Sequence, residues 1–436
     1  MTPIPSRALP DVAAGLCFLF ILLVPFTAAG LAMINTGLGR SRNAAHMMMS
    51  SLCVIAVAAV VYFLIGFSWQ GYSGRPGYAF TVSGKLWSWI AADPFFWRGL
   101  KMDGSADSLA ALLGMLSVGL AAIIPLGSGA DRWRLGASCA SAALLAGWTF
   151  PLFAHWVWGG GWLAQLGVNY GLGQGFLDSG GAATIQVVGG LTALAVTWIL
   201  GPRRGKYTPD RMPLAIPGHN GVFILCGCFL AWLGWIGLDS AGAILFTGVE
   251  AGRAVLIAAN ATLAAVCSLL AVALITRARF GKPDASLCAN GWVGGLVSSS
   301  AGCAVIPPAA AMIVGLVAGV LVTFSVELLE LHLTVDDPGG AISVHAVGGM
   351  WGLLAVAVFA TGVPGENASG QWIAQMAGIA TLLGFVLPMT YALHRLLNRI
   401  SPMRVAREGE RQGLDLHELG AGAYPDFMSH NDDLQR

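Results

Sequence analysis

The sequence predicts an all-α polytopic membrane protein of eleven transmembrane helices, and three observations carry the prediction. Hydrophobic residues make up 56% of the chain and charged residues 10%, with a mean hydropathy of +0.71, whereas a soluble domain carries about 25% charged residues. Apolar runs recur along the chain, each near the roughly 20 residues needed to span a bilayer as a helix. The connections between the runs alternate between rich and poor in Lys and Arg.

The runs are expected at 11–33, 44–68, 108–128, 136–156, 182–201, 219–238, 251–275, 286–304, 308–331, 341–361 and 371–397. Numbered in that order, spans 1 and 2 are joined through Arg40 and Arg42, and spans 3 and 4 through Arg132 and Arg134. Arg203, Arg204, Lys206 and Arg211 lie between spans 5 and 6, and Arg277, Arg279 and Lys282 between spans 7 and 8. With the residues at and after the end of span 11, one side holds 17 of the 23 Lys and Arg. Positively charged loops stay in the cytoplasm, so the amino terminus is expected outside and the carboxyl terminus inside. The first ten residues carry one Arg and the apolar run continues past Gly30, which reads as a first span rather than a cleaved leader. The membrane domain is expected over 11–397 and a polar cytoplasmic tail over 398–436.

One stretch repeats. Asp337 to Gly349 reads DPGGAISVHAVGG, and 159 residues upstream Asp178 to Gly190 reads DSGGAATIQVVGG, identical at seven of thirteen positions. Eight residues after each Asp stands one hydrogen-bonding side chain, Gln186 in the first copy and His345 in the second. Eight helical residues rise about 12 Å, nearly half of a roughly 30 Å hydrocarbon core, so both side chains are expected near the midplane. With eleven spans, span 5 and span 10 run in opposite directions. Two inverted five-helix repeats, about 11–201 and 219–361, are therefore expected, with span 11 outside them. Such repeats characterise transporters whose substrate path lies where the halves meet.

Other chemistries lack a signature. The net charge of +1 offers nothing to nucleic acid. The eight Cys form no CxxC pair and read as small core residues. No nucleotide loop, metal-ligand spacing or nucleophile motif is present, so neither an enzyme nor a cofactor is expected.

Several segments resemble the Amt/Mep/Rh ammonium transporter family: His155-Trp-Val-Trp-Gly-Gly-Gly161, Gly234-Trp-Ile-Gly237, Val335-Asp-Asp-Pro338 with His345, and Glu410-Arg-Gln-Gly-Leu-Asp415 followed by Ala423-Tyr424. The resemblance runs from about residue 31 to 424, and the joint occurrence of these segments makes it specific. It implies the ammonium transporter fold, a homotrimer with one pore per subunit, and ammonium or ammonia as the substrate. It also implies an inner-membrane location for a bacterial member.

Family roles follow only where residues match. Trp158 falls on the aromatic of the outer recruitment site, where a ring face attracts a cation; belt anchoring at the interface is the plainer alternative. Asp178 falls on the buried Asp beside it, which either stabilises a cation or caps the start of span 5. Trp235 matches the pore-region Trp of span 6. His345 matches the second of two pore histidines, and a neutral imidazole both donates and accepts a hydrogen bond. Glu410, Gly413, Leu414, Asp415 and Tyr424 match the regulatory tail, which the resemblance places against neighbouring subunits and, in bacterial members, within reach of a PII-type partner.

The departures are as informative. Gln186 stands where the first pore His is usual, Ser117 and Leu238 where two stacked Phe often gate the mouth, Gly242 where a Ser is usual, and Asp239 where an Asn is usual. The expected function is ammonium/ammonia transport past a Gln/His pair. The alternatives are an ammonium sensor or transceptor with little flux, or an Rh-like neutral-gas channel.

Overall fold

Residues 9–72, 77–361 and 368–424 are described by the computed structural model; Arg7, Arg75, Arg436 and the part of the predicted tail beyond Tyr424 lie outside them. Among the described residues, ten helices are long and apolar enough to cross a membrane: Asp11–Leu38, Ser41–Gln70, Ala106–Gly129, Leu135–Val157, Ala182–Leu200, Gly221–Thr247, Ala251–Phe280, Pro308–His332, Ile342–Phe359 and Ser369–Ile400. The remaining expected span, number 8, is the helix Ala285–Ser300, which at 16 residues falls short of that length. Asp284 caps its start by accepting from Leu287 N at 2.8 Å, and turns follow from Ala301. Span 6 runs on to Thr247, beyond the expected end at 238.

Helix contacts run both within and between the two expected halves. Span 1 lies along span 6, its counterpart, with Gly30 and Gly227 meeting backbone to backbone. Span 3 packs on spans 1, 2 and 5, while spans 7, 8 and 9 form a mutually packed group in the other half. Spans 5 and 10 touch through their amino-terminal turns: Ala346 closes on Gly190, and an added Cβ at Gly349 would stand 2.6 Å from Val187 Cγ2. The second Gly of each Val-Gly-Gly therefore admits the other helix.

Buried ion pairs tie the end of span 5 to the start of span 10. Arg203, three residues beyond Leu200, donates through Nε and Nη2 to the Asp336 carboxylate, both at 3.0 Å, and through Nη1 to Asp131 at 3.1 Å. Arg132, fully buried, donates to Asp336 O and Gly201 O, both at 2.8 Å. Burial alone would raise the Asp336 carboxyl; Arg132 and Arg203 outweigh it and hold the group below the ordinary carboxylate range. The carboxyl end of span 5 and the amino end of span 10 therefore share one face, as inverted topology demands.

The tail lies on that same face and binds the Arg-rich loops of its own chain. Glu410, 3% exposed, receives Arg404 Nη2 at 2.9 Å and Arg204 N at 2.7 Å. Leu414 N donates to Asn43 Oδ1 at 2.7 Å, and Asp415 accepts from His46 N at 2.7 Å and Ala45 N at 3.2 Å, covering free amides at the start of span 2. His219 Nδ1 donates to Gly39 O at 3.1 Å, so its Nε2 accepts from the Tyr424 hydroxyl at 3.0 Å. The resemblance implied contacts with neighbouring subunits; in this chain all four of these tail side chains or amides have partners on their own loops.

On the opposite face lies an element that the apolar-run reading did not anticipate. Strands Gly77–Val82 and Lys85–Ala91 pair antiparallel across the two-residue turn Ser83-Gly84, both at positive φ. Trp156 Nε1 donates to Trp89 O at 2.8 Å, and Ser88 N donates to Gln165 Oε1 at 2.9 Å. The hairpin thus covers the HxVWGGG segment. Not all cysteines are core residues: Cys226 on span 6 is exposed, while Cys17, Cys228, Cys267, Cys288 and Cys303 are buried.

Candidate functional site

Each repeat copy builds the same local structure. Asp178 Oδ2 accepts from Ala183 N at 3.1 Å, Thr184 N at 2.8 Å and Thr184 Oγ1 at 2.9 Å. Asp337 accepts from Ala341 N at 3.1 Å, Ile342 N at 2.8 Å and the Ser128 hydroxyl at 2.6 Å. Both carboxylates serve the amino-terminal amides of their helices, where the helix dipole favours negative charge. Burial pushes the Asp178 carboxyl up from the ordinary range, and the bonds from Thr184 and Ala183 draw it back.

Helix begins only after these loops. Ala182–Val187 and Ile342–Val347 are π-helical turns that pass into α-helix; such turns widen a helix locally and concentrate at functional sites. Gln186 is therefore the fifth residue of its helix, about 6 Å along the axis from the first, not the 12 Å that eight helical residues would give. The reason is Asp178 itself, which caps the helix from a loop rather than belonging to it.

The two equivalent side chains meet. His345 Nδ1 and Gln186 Oε1 are 2.8 Å apart, Gln186 fully buried and His345 5% exposed. A carbonyl oxygen only accepts, so Nδ1 carries the proton and Nε2 is left as the acceptor. Gln186 Nε2 has no hydrogen-bond partner among the described residues. The pair therefore presents one acceptor nitrogen and one amide donor group.

The outer group is more occupied than the sequence suggests. Trp158 is 4% exposed and donates through Nε1 to Asp178 O at 2.8 Å. Its ring stacks on Phe246, with centroids 4.3 Å apart and planes within 4°. One indole face is thus covered by a residue at the far end of span 6 that the motifs did not single out. Trp235 is fully buried, and its Nε1 donates to Ser300 Oγ at 2.7 Å, fastening span 6 to span 8. Gly242 has a steric reason: an added Cβ would lie 2.5 Å from Ser179 O. His155 ties the segment to its surroundings, with Nδ1 donating to Gln70 O at 2.8 Å and Nε2 accepting from Ser88 Oγ at 3.0 Å.

A family model described as Ammonium Transporter Family matches residues 15–424. The chain belongs to the ammonium transporter family. It is 35% identical to the ammonium transporter Amt2 of Archaeoglobus fulgidus, the match covering 94% of this chain and 88% of that protein. It is 29% identical to the ammonium transporter of Bacillus subtilis, across 94% of this chain and 98% of that one. Its structure superimposes on a solved chain titled "Sensor Amt Protein" with a TM-score of 0.83 and 27% identity, covering 94% of this chain and 99% of that one. Candida albicans Mep2, at 23% identity and a TM-score of 0.78 over 97% of this chain and 92% of its own, shares the fold. As a family member the chain is a transport protein rather than an enzyme. Among the described residues no group of three or more His, Cys, Asp or Glu is placed to hold a metal ion.

Proposed function

We propose that the chain moves ammonium/ammonia across a membrane through a pore in each subunit, with Trp158 and Asp178 at the outer vestibule and Gln186 and His345 at the narrow centre. The observation that carries this reading is the 2.8 Å contact between Gln186 and His345. Ammonia has one lone pair and three N–H groups. It can accept from Gln186 Nε2 and donate to His345 Nε2, whereas ammonium can only donate. A pair offering one donor group and one acceptor is therefore matched to the neutral form. A bare cation also pays heavily to enter a low-dielectric site, so ammonium loses its proton in the vestibule and ammonia passes.

The orientation follows the charge bias: the tail face is cytoplasmic and the hairpin face external, in a cell inner membrane, with the subunits as a homotrimer. The tail, seated on the loops that close the cytoplasmic face, transmits regulation, and a PII-type protein is the partner of matching location. The direct test is uptake of labelled methylammonium into proteoliposomes holding the purified protein. Uptake above that of empty liposomes is expected; its absence favours the second reading, a sensor of the same fold. That reading has one observation behind it, the non-titrating Gln186 in the pore, together with the likeness to a chain titled as a sensor.

A further inference from the structure

Asp239 stands on span 6 four residues after Trp235, fully buried. Neither of its carboxylate oxygens has a hydrogen-bond partner among the described residues. Ser300 Oγ, the one hydroxyl within reach of it, accepts from Trp235 Nε1 at 2.7 Å and has its single proton on Leu296 O at 3.0 Å, so it donates to Asp239 only by giving up that bond. Asp239 Oδ1 instead lies against Gly180, in the loop that carries Asp178. Asp178 Oδ1 is likewise buried without a partner, because the capping bonds all go to Oδ2. The remaining titratable neighbour is Cys303, whose Sγ lies 3.9 Å from Asp239 O. No ion pair among the described residues includes either carboxylate. A buried carboxylate without donors or counter-charge is too costly to persist. It stays ionised only while a cation stands beside it, and in an ammonium-admitting vestibule that cation is ammonium itself. Asp178 and Asp239 thus flank one short loop beside Trp158, and the chain has no titratable residue at 186.

We propose that the Asp239 carboxyl is a second proton-holding group of the outer vestibule, taking the proton that ammonium loses before ammonia reaches Gln186. The inference rests on the transport reading and names the acceptor within it. With ammonium beside the ionised carboxylate, an N–H bond of ammonium breaks, its electron pair stays on nitrogen, and an O–H bond forms on Asp239, leaving a neutral acid beside neutral ammonia. The proton then passes to Asp178 Oδ1 and back to the external water, because Gln186 has no ionisable group to carry it onward. Ammonia enters and no charge crosses.

The test is infrared difference spectroscopy on the full-length protein in lipid, with and without ammonium chloride, combined with stopped-flow ammonia uptake. The wild type should show an ammonium-dependent change in the carboxyl C=O stretch. Asp239→Asn, nearly the same shape, should lose that change and take up ammonia about a hundredfold more slowly, the low end of what a positioned acid–base group contributes. A band and a rate unaltered in Asp239→Asn overturn the proposal. A wild type without any ammonia uptake overturns the transport reading instead. In that case the infrared difference, with ammonium as the probe, still decides whether Asp239 exchanges a proton: a band present in wild type and absent in Asp239→Asn supports it, and a band shared by both contradicts it.

Discussion

The rings of Trp158 and Phe246 lie face to face, 4.3 Å between centroids and 4° from parallel. The indole that the family motif assigns to cation recruitment thus spends one face on a hydrocarbon ring. A cation on an indole face is worth about 1–2 kcal/mol when partly desolvated. Phe246→Ala frees that face, and the KM for methylammonium should fall roughly 5- to 30-fold. An unchanged or raised KM would show that Phe246 forms a wall of the site rather than a cover.

The Arg203 side chain is the hinge pin of the tail face. It satisfies Asp131 and Asp336 together, all three nearly or fully buried. Arg203→Met keeps the length and removes the charge, leaving two buried carboxylates short of a partner. Breaking a buried pair costs about 3–5 kcal/mol, so the thermal midpoint of the purified protein should drop clearly. A midpoint equal to wild type would mean that Arg132 and Asn43 suffice to hold the two carboxylates.

Much of this was legible in the sequence because repetition carries geometry. The repeat pairs Gln186 with His345 from sequence alone, and the structure brings the two into hydrogen-bond contact. The Arg-bearing loops around Arg40, Arg132 and Arg203 share a face, as their alternation required. Phe246 was not legible, since nothing in a Phe near the end of an apolar run says which ring it will meet. Nor was the place of helix onset: the repeat begins at Asp178, but the capping carboxylate sits in a loop and regular helix starts at Ala182. The hairpin at 77–91 escaped because a search for membrane-length runs passes over short alternating strands. Asp239 was visible only as a departure, and its lack of partners is a fact of packing.

Topology is open to a direct check. Seventeen Lys and Arg against six predict a cytoplasmic tail and a cytoplasmic 203–211 loop. Reporter fusions at Arg436 and within that loop should both give cytoplasmic signals, and a periplasmic signal at either contradicts the orientation.

Truncation after Val405 separates the tail from the fold. Val405 N donates to Arg132 O at 3.0 Å and Met403 O accepts from Arg134 N at 3.0 Å, so these anchors remain. Glu410, Leu414 and Asp415 are lost. The proposed trimer should persist while the uptake rate changes by about twofold or more, as removing roughly 0.5 kcal/mol of coupling would do. Identical uptake would leave the tail a structural cover without regulatory effect.

Solid-supported membrane currents on wild type, Gln186→His and His345→Ala test the central claim most directly. Wild type should give no sustained ammonium-evoked current, because the amide at 186 interrupts any relay to His345. Gln186→His restores a titratable pair at nearly the same reach, and a clear ammonium-evoked current should appear. His345→Ala strips the Gln186 carbonyl of its partner in a dry site, at about 1–3 kcal/mol, so folding yield and transport should both fall. Currents unchanged in both variants would contradict the account, since the two side chains would then not form the centre of the pore.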